Sequence, residues 1–168
     1  MEPELCIIAA YEETTRVMGR GNQLLWRIRD DLRRFAALTT GQAVIMGRRT
    51  FESLGSAPLF DRHNIVVSRT LPPKPGIAIC TTLEQALDLA SSLGTKRVFA
   101  IGGERVFAEV LPRADVLFLT LVHDPSAIGD VFFPLFDESA FERTEDEDHP
   151  KRRPSFRFLT LKRKTAAP

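Results

Sequence analysis

The sequence predicts an α/β fold: a mainly parallel, twisted central sheet of about eight strands, with an antiparallel C-terminal edge and about four flanking helices. Three observations predict it. Short continuous apolar runs, the mark of strands covered on both faces, alternate with helix-spaced segments through the first two thirds of the chain. Several of these runs end in glycine- and arginine-bearing turns, as strands do where they feed helices in open sheets. The last two strand-like segments are joined by a loop and no helix, which makes that pair antiparallel.

Composition bounds the function. A chain of 168 residues, 43% hydrophobic and 27% charged, fits one domain, residues 1–168, with a substantial core. A formal net charge of +1 argues against nucleic acid as a partner. Cys6 and Cys80 lie inside apolar runs and read as small core residues in a reducing compartment, with neither metal-site nor redox-pair spacing. No apolar run approaches membrane-spanning length, and the start Met-Glu-Pro-Glu has no signal-peptide pattern. His63, His123 and His149 are scattered and form no ligand set. The expectation is a cytoplasmic soluble protein, monomeric, with no metal, no nucleic acid and no membrane.

The elements follow in order. Residues 5–10 form the first buried strand, and 18–22, with two glycines, read as a loop. A helix spans about 30–38: Asp31, Phe35 and Leu38 share one face, with Arg29, Arg33 and Arg34 largely on the other. Residues 43–46 are a strand stopped by Gly47, 48–54 a short helix closed by Gly55, and 64–68 a third strand. Three prolines exclude regular structure from 71–76, and 77–80 is a fourth strand. Thr81 or Thr82 caps a helix running to Leu93, because Leu83, Ala86, Leu87 and Ala90 recur at helical spacing. A fifth strand, 97–101, runs into Gly102-Gly103 and a short helix to Leu111. Strands at 116–122, 140–145 and 155–162 complete the sheet, the last two joined by an acidic-then-basic turn region, 145–153.

Open α/β sheets bind ligands beyond the carboxyl ends of their strands. Three such junctions carry suitable groups: Gly47-Arg48-Arg49-Thr50, Ser68-Arg69-Thr70 and Gly102-Gly103-Glu104-Arg105. Glycines let backbone approach a ligand, and arginines and hydroxyls suit phosphate. Each alone reads equally as a tight turn or a solvated face. Together they fit a dinucleotide bearing an extra phosphate. Asp31 is the other chemical feature, a carboxylate on the apolar face of its helix. It is either an acid placed at a helix start or a group facing a cleft.

Taken together, these residues resemble the dihydrofolate reductase family over nearly the whole chain. The resemblance is carried by Ile8-Ala9-Ala10, Gly19-x-x-Asn22, Trp26-x-x-x-x-Asp31-x-x-x-Phe35 and Val44-Ile45-Met46-Gly47-Arg48-Arg49-Thr50-Phe51-Glu52-Ser53. Arg62-x-Asn64, Ile101-Gly102-Gly103, Leu119-Thr120 and Gly129-Asp130-x-x-Phe133-Pro134 extend it.

The resemblance implies NADPH-dependent reduction of 7,8-dihydrofolate, with antifolates as inhibitors. Catalysis would involve Asp31, Trp26 and Thr120. Asp31 would face the pteridine, with Thr120 behind it and a water near Asp31 and Trp26 as the proton source. Ile8, Ala10, Leu32, Phe35, Leu54 and Ile101 would contact the substrate, and Arg62 would take its glutamate α-carboxylate. For the cofactor, Ala10, Met18, Gly19 and Asn22 match the nicotinamide side, under a mobile lid at 18–25. Gly47, Arg48, Arg49, Thr50, Ser68 and Arg69 match the phosphate turns, and Gly102, Gly103, Glu104, Arg105, Val106 and Phe107 the diphosphate turn. Leu25 and Arg29 stand where the family has prolines, Phe60-Asp61 replace a Pro-Gly pair, and Glu104 stands where a small residue is common. Two rivals are a riboflavin-pathway pyrimidine reductase, which would not require Trp26, Asp31 and Arg62 together, and a noncatalytic nucleotide-binding module.

Overall fold

The computed structural model describes residues 1–165. The first part of the chain forms β1 (Glu4–Glu12), β2 (Val17–Arg20), β3 (Gln23–Leu24), α1 (Arg29–Thr39), β4 (Ala43–Gly47) and α2 (Arg48–Ser53). The middle adds β5 (His63–Val67), β6 (Ile77–Cys80), α3 (Leu83–Ser92), β7 (Arg97–Gly102) and α4 (Glu104–Val110). The last part holds β8 (Val116–His123), β9 (Val131–Phe132), β10 (Phe141–His149) and β11 (Ser155–Arg163).

An eight-stranded sheet runs in the order β10-β11-β8-β1-β7-β4-β5-β6. Every pairing from β8 to β6 is parallel, and β11 is antiparallel to both its neighbours. The predicted fold class is the observed one. Period-two alternation divides the apolar runs between two layers. Ile8, Val44 and Met46 point to the face that packs Phe35 and Leu38 of α1 and Phe51 of α2. Ile7, Ala43 and Ile45 point to the opposite face, against Leu83, Ala86 and Ala90 of α3 and Val106 and Val110 of α4. Thr82 is the cap of α3: its side chain accepts from Gln85 N, while Thr81 N donates to Gln85 Oε1 at 3.0 Å.

Three expectations need correction. Residues 18–22 are not a loop: Val17–Arg20 is a strand of a small sheet ordered β3-β2-β9. Gly19 pairs with Leu24 and Arg20 with Gln23, leaving Gly21 (φ 56°) and Asn22 (φ 62°) as a two-residue turn. Positive φ at both positions is the twist that closes a tight hairpin. The acidic run 145–148 is not in a turn either; β10 continues to His149, and the hairpin turns only beyond it. Charge is compatible with that strand because it lies at the sheet edge, where Asp146 meets Arg143 at 2.9 Å and Arg157 at 3.1 Å. Finally, Arg34 does not lie on the face opposite Asp31; both side chains reach β8. The Arg34 side chain is 13% exposed, tucked over the rings of Phe118 and Phe158.

Candidate active site

The chain leaves β7 through α4 and crosses β1 to reach β8, so strand order switches on either side of β1. A cleft of about 220 Å³ opens at the carboxyl ends of β1 and β7, next to this switch. Ile8, Ala9 and Ala10 of β1, Ile101 and Gly102 of β7, and Gly103 just after it form its floor. Leu32 and Phe35 of α1, with Thr50 and Ser53 of α2 and its C-cap Leu54, stand on one side, and Met18, Gly19, Asn22, Gln23 and Leu24 of the β2-β3 hairpin on another. Phe107 and Val131 complete it.

Asp31 is the one ionisable side chain among these lining residues. Its Oδ1 accepts the Thr120 hydroxyl at 2.5 Å, and Thr120 itself is buried in β8. Burial raises the Asp31 pKa above the ordinary 3.8; the Thr120 hydroxyl and the positive charge of Arg34 oppose the rise. The two acids of the first turn are thus separated. Asp30 meets Arg152 at 3.0 Å, while Asp31 lines the cleft.

Arg62 stands beside the cleft, with its guanidinium 5.7 Å from the centre of the Phe35 ring. Its Nε donates to Thr39 Oγ1 at 3.2 Å and Nη1 to the Phe60 carbonyl at 2.8 Å. Buried Asn64 fixes that loop by bonding Leu59 N, Leu59 O and Arg62 O. Asp61 has φ 55°, a conformation glycine adopts freely and aspartate tolerates, so the Phe60-Asp61 departure keeps a left-handed turn before the arginine.

Trp26 does not line the cleft. Its indole Nε1 donates to Asp124 at 2.9 Å, and the ring packs on Val122, Phe156 and Phe158. This anchor, with Ile28 in the same cluster, holds the approach to α1 where the family prolines are absent.

A second group gathers at the ends of β4 and β5. Arg48 Nη1 donates to Thr70 Oγ1 at 2.5 Å, its Nε meets Glu52 at 2.7 Å, and Ser68 Oγ accepts from Thr70 N and Leu71 N. Arg49 and Arg69, next in sequence to Arg48 and Ser68, are exposed, as are Glu104 and Arg105 at the start of α4; all four lie outside the cleft lining, and Arg105 pairs with Glu109 at 3.2 Å. Gly47 and Val106 also lie outside the lining and touch each other: a Cβ on Gly47 would be 3.7 Å from Val106 Cγ2. Gly102 has φ 134°, and a Cβ there would sit 3.1 Å from Thr50 Oγ1, so the turn approaches α2 closely only as glycine.

Sequence reasoning missed five lining residues: Ala9, Gln23, Leu24, Ser53 and Val131. Gly21-Asn22 between two short strands was a legible hairpin signal for Gln23 and Leu24. Val131, in a two-residue strand, had none. Among the described residues no group of His, Cys, Asp or Glu could hold a metal, and no helix is long and apolar enough to cross a membrane.

Comparison with known proteins agrees with this geometry. The family model "Dihydrofolate reductase" matches residues 4–163. The chain is 35% identical over 162 residues to the dihydrofolate reductase of Bacillus subtilis, covering 92% of each chain. It is 38% identical over 163 residues to the type 3 dihydrofolate reductase of Salmonella typhimurium, covering 95% of this chain and 98% of the relative. A solved dihydrofolate reductase from Enterococcus faecalis, complexed with NADP(H) and RAB-propyl, superposes with a TM-score of 0.87 at 29% identity, covering 96% of this chain and 97% of that one. With its motifs, sheet order and cleft carboxylate all in place, the chain belongs to the dihydrofolate reductase family of enzymes.

Proposed function

We propose that the chain reduces 7,8-dihydrofolate to 5,6,7,8-tetrahydrofolate with NADPH, adding a hydride at C6 and a proton at N5. The observation that carries this reading is the lone carboxylate of Asp31, set in a largely apolar cleft and held by a buried hydroxyl. An ionised acid is costly there unless a ligand brings donors and positive charge to it. The pteridine does both: its N3 and 2-amino edge donate to the carboxylate, and the ring gains a proton as it is reduced.

The residues at the strand ends fit the cofactor. Arg48, Ser68 and Thr70, already joined by hydrogen bonds, supply a cation and hydroxyls for a 2′-phosphate. Arg49 and Arg69 add further positive charge, and Gly102-Gly103 leave backbone open beside Thr50 for a diphosphate. When bound, NADPH supplies the hydride.

This chain's own residues then position and shield. Ile8, Ala10, Leu32, Phe35, Leu54 and Ile101 hold the pteridine and its neighbouring ring and exclude water. Arg62 takes the α-carboxylate of the glutamate tail from the rim. Met18, Gly19 and Asn22 cover the nicotinamide side, with the small sheet anchoring one end of the lid and the 21–22 turn as its movable tip. The proton reaches N5 from a water held beside Asp31. Trp26, bound to Asp124, serves by fixing the start of α1. Catalysis rests on orientation and on the tuned acid, with no covalent intermediate. Antifolates would compete for the same cleft.

The test is to mix purified protein with NADPH and dihydrofolate, follow NADPH absorbance and identify the product. Stoichiometric tetrahydrofolate is expected. No NADPH oxidation with dihydrofolate, or turnover only with a pyrimidine of the riboflavin pathway, overturns the reading.

A further inference from the structure

Arg34 carries a charge that the site's direct contacts do not use. It follows Asp31 by three residues, so on α1 the two side chains are neighbours. Both reach β8: Asp31 accepts the Thr120 hydroxyl, and Arg34 Nη1 donates to the Leu119 carbonyl at 3.4 Å. The Arg34 guanidinium is also held by the terminal hairpin, where Nη2 meets Glu145 Oε1 at 2.5 Å and Thr160 Oγ1 at 3.0 Å. Thr160 Oγ1 donates to the same Glu145 oxygen at 2.9 Å. The guanidinium carbon lies 4.5 Å from the centre of the Phe158 ring and 5.6 Å from that of Phe118.

We propose that Arg34 is a positioning residue for the reaction: fixed by Glu145 and Thr160, its charge holds the cleft carboxylate of Asp31 in the ionised form.

A guanidinium cannot lose its proton at any working pH, so once wedged between two rings it is a permanent positive charge. Low surrounding polarity makes that charge felt at Asp31 without a direct bond. The other charged groups around Asp31 are otherwise engaged. Asp30 is paired with Arg152, Arg33 is exposed, and the remaining lining residues from β1, α2, β7 and the small sheet are neutral. Thr120 contributes a dipole and no charge. Glu145, on the far side of the guanidinium, partly offsets it. The field at Asp31 is therefore set by an Arg34–Glu145 pair whose acid belongs to the edge strand.

The catalytic meaning of this inference rests on the proposed function, but its test does not. The Asp31 carboxyl is titrated by carbon-13 NMR in the free protein, its signal identified by its loss in Asp31→Asn. Arg34→Met should move the titration to higher pH, and Arg34→Lys, which keeps the charge, should return it toward wild type. Glu145→Gln should move it the other way, to lower pH. A merely structural pin would make Arg34→Met and Glu145→Gln act alike, by loosening the hairpin. Movement in the same direction, or no movement in either variant, overturns the proposal. If Arg34→Met does not fold, Glu145→Gln and Arg34→Lys decide it: a downward shift with Gln and little change with Lys support it, any other pair of results overturns it. Absence of turnover in the wild type would remove the proposed function and leave this titration as it stands.

Discussion

Replacing Thr120 with valine removes one hydroxyl and leaves nearly the same shape. Thr120 is 2% exposed, so no bulk water takes over the lost contact, and Asp31 Oδ1 loses a donor at 2.5 Å. A hydrogen bond to an ionised group is worth about 1.5–3 kcal/mol. When Asp31 is protonated the bond is neutral and worth about 1 kcal/mol. The loss therefore falls mainly on the ionised form, and Asp31 binds its proton more tightly in the variant. Two consequences can be measured. Urea midpoints should show Thr120→Val to be less stable by about 1.5–3 kcal/mol at neutral pH, with a smaller deficit near the ordinary carboxylate value of 3.8. The pH–rate profile for NADPH oxidation should move its Asp31-dependent limb to higher pH, a shift worth the roughly 0.5–2 kcal/mol that separates the two bonds. An equal deficit at both pH values together with an unmoved limb would refute the view that this hydroxyl supports the carboxylate.

Asp31→Asn should stabilise the free protein at neutral pH. Burial raises the Asp31 pKa, so the folded state holds the proton more tightly than the unfolded chain, and the acid costs stability that grows as pH rises from 3.8 through the folded value. The gain should vanish below 3.8 in urea titrations; a gain that persists there would show a different origin. Arg48→Ala should weaken NADPH by about tenfold or more, the worth of a charge-assisted hydrogen bond, and NADH far less in fluorescence titrations. Equal losses would remove the 2′-phosphate role. Gly129→Ala should cost about 1–3 kcal/mol in thermal unfolding, because its Cβ would lie 2.2 Å from the Gly19 carbonyl and 2.6 Å from Val17 Cγ2. Hydrogen exchange at Asp130 N, bonded to Gly19 O at 3.0 Å, should quicken. Unchanged melting and exchange would mean that β2 does not depend on this contact.

The parts of the structure legible in the sequence are those written in consecutive residues. Seven of the eight strands of the main sheet, all but β10, have continuous apolar or alternating runs, such as 43–46 and 97–101, and no tertiary information is needed to find them. The small sheet was hidden because β3 and β9 are two residues each, too short to show a period, and the glycines of 19–21 also suit a loop. The acidic run at 145–148 reads as a turn because of its charge, yet an edge strand takes charge readily. Asp31 was legible as an awkward acid on an apolar face. Arg34 differs: the sequence reading sets it largely on the face opposite Asp31, although residues three apart on a helix are neighbours, and Phe118, Phe158 and Glu145 from distant strands make a place for it there. The Trp26–Asp124 bond spans 98 positions and has no local signature. Where Leu25 and Arg29 replace prolines, the fold uses this bond and the Asp30–Arg152 pair to hold the start of α1.

The most direct test of the central claim compares wild type and Asp31→Asn in parallel, following NADPH consumption with saturating dihydrofolate across pH. Asparagine keeps the size of the side chain and an acceptor for Thr120 while removing the ionisable acid. The account predicts turnover in the wild type and a loss of about a hundredfold or more in the variant, within the range for a positioned acid or base. The residual rate should fall as pH rises, because protonation must then occur without Asp31. Full activity in Asp31→Asn, with the wild-type pH profile retained, would contradict it.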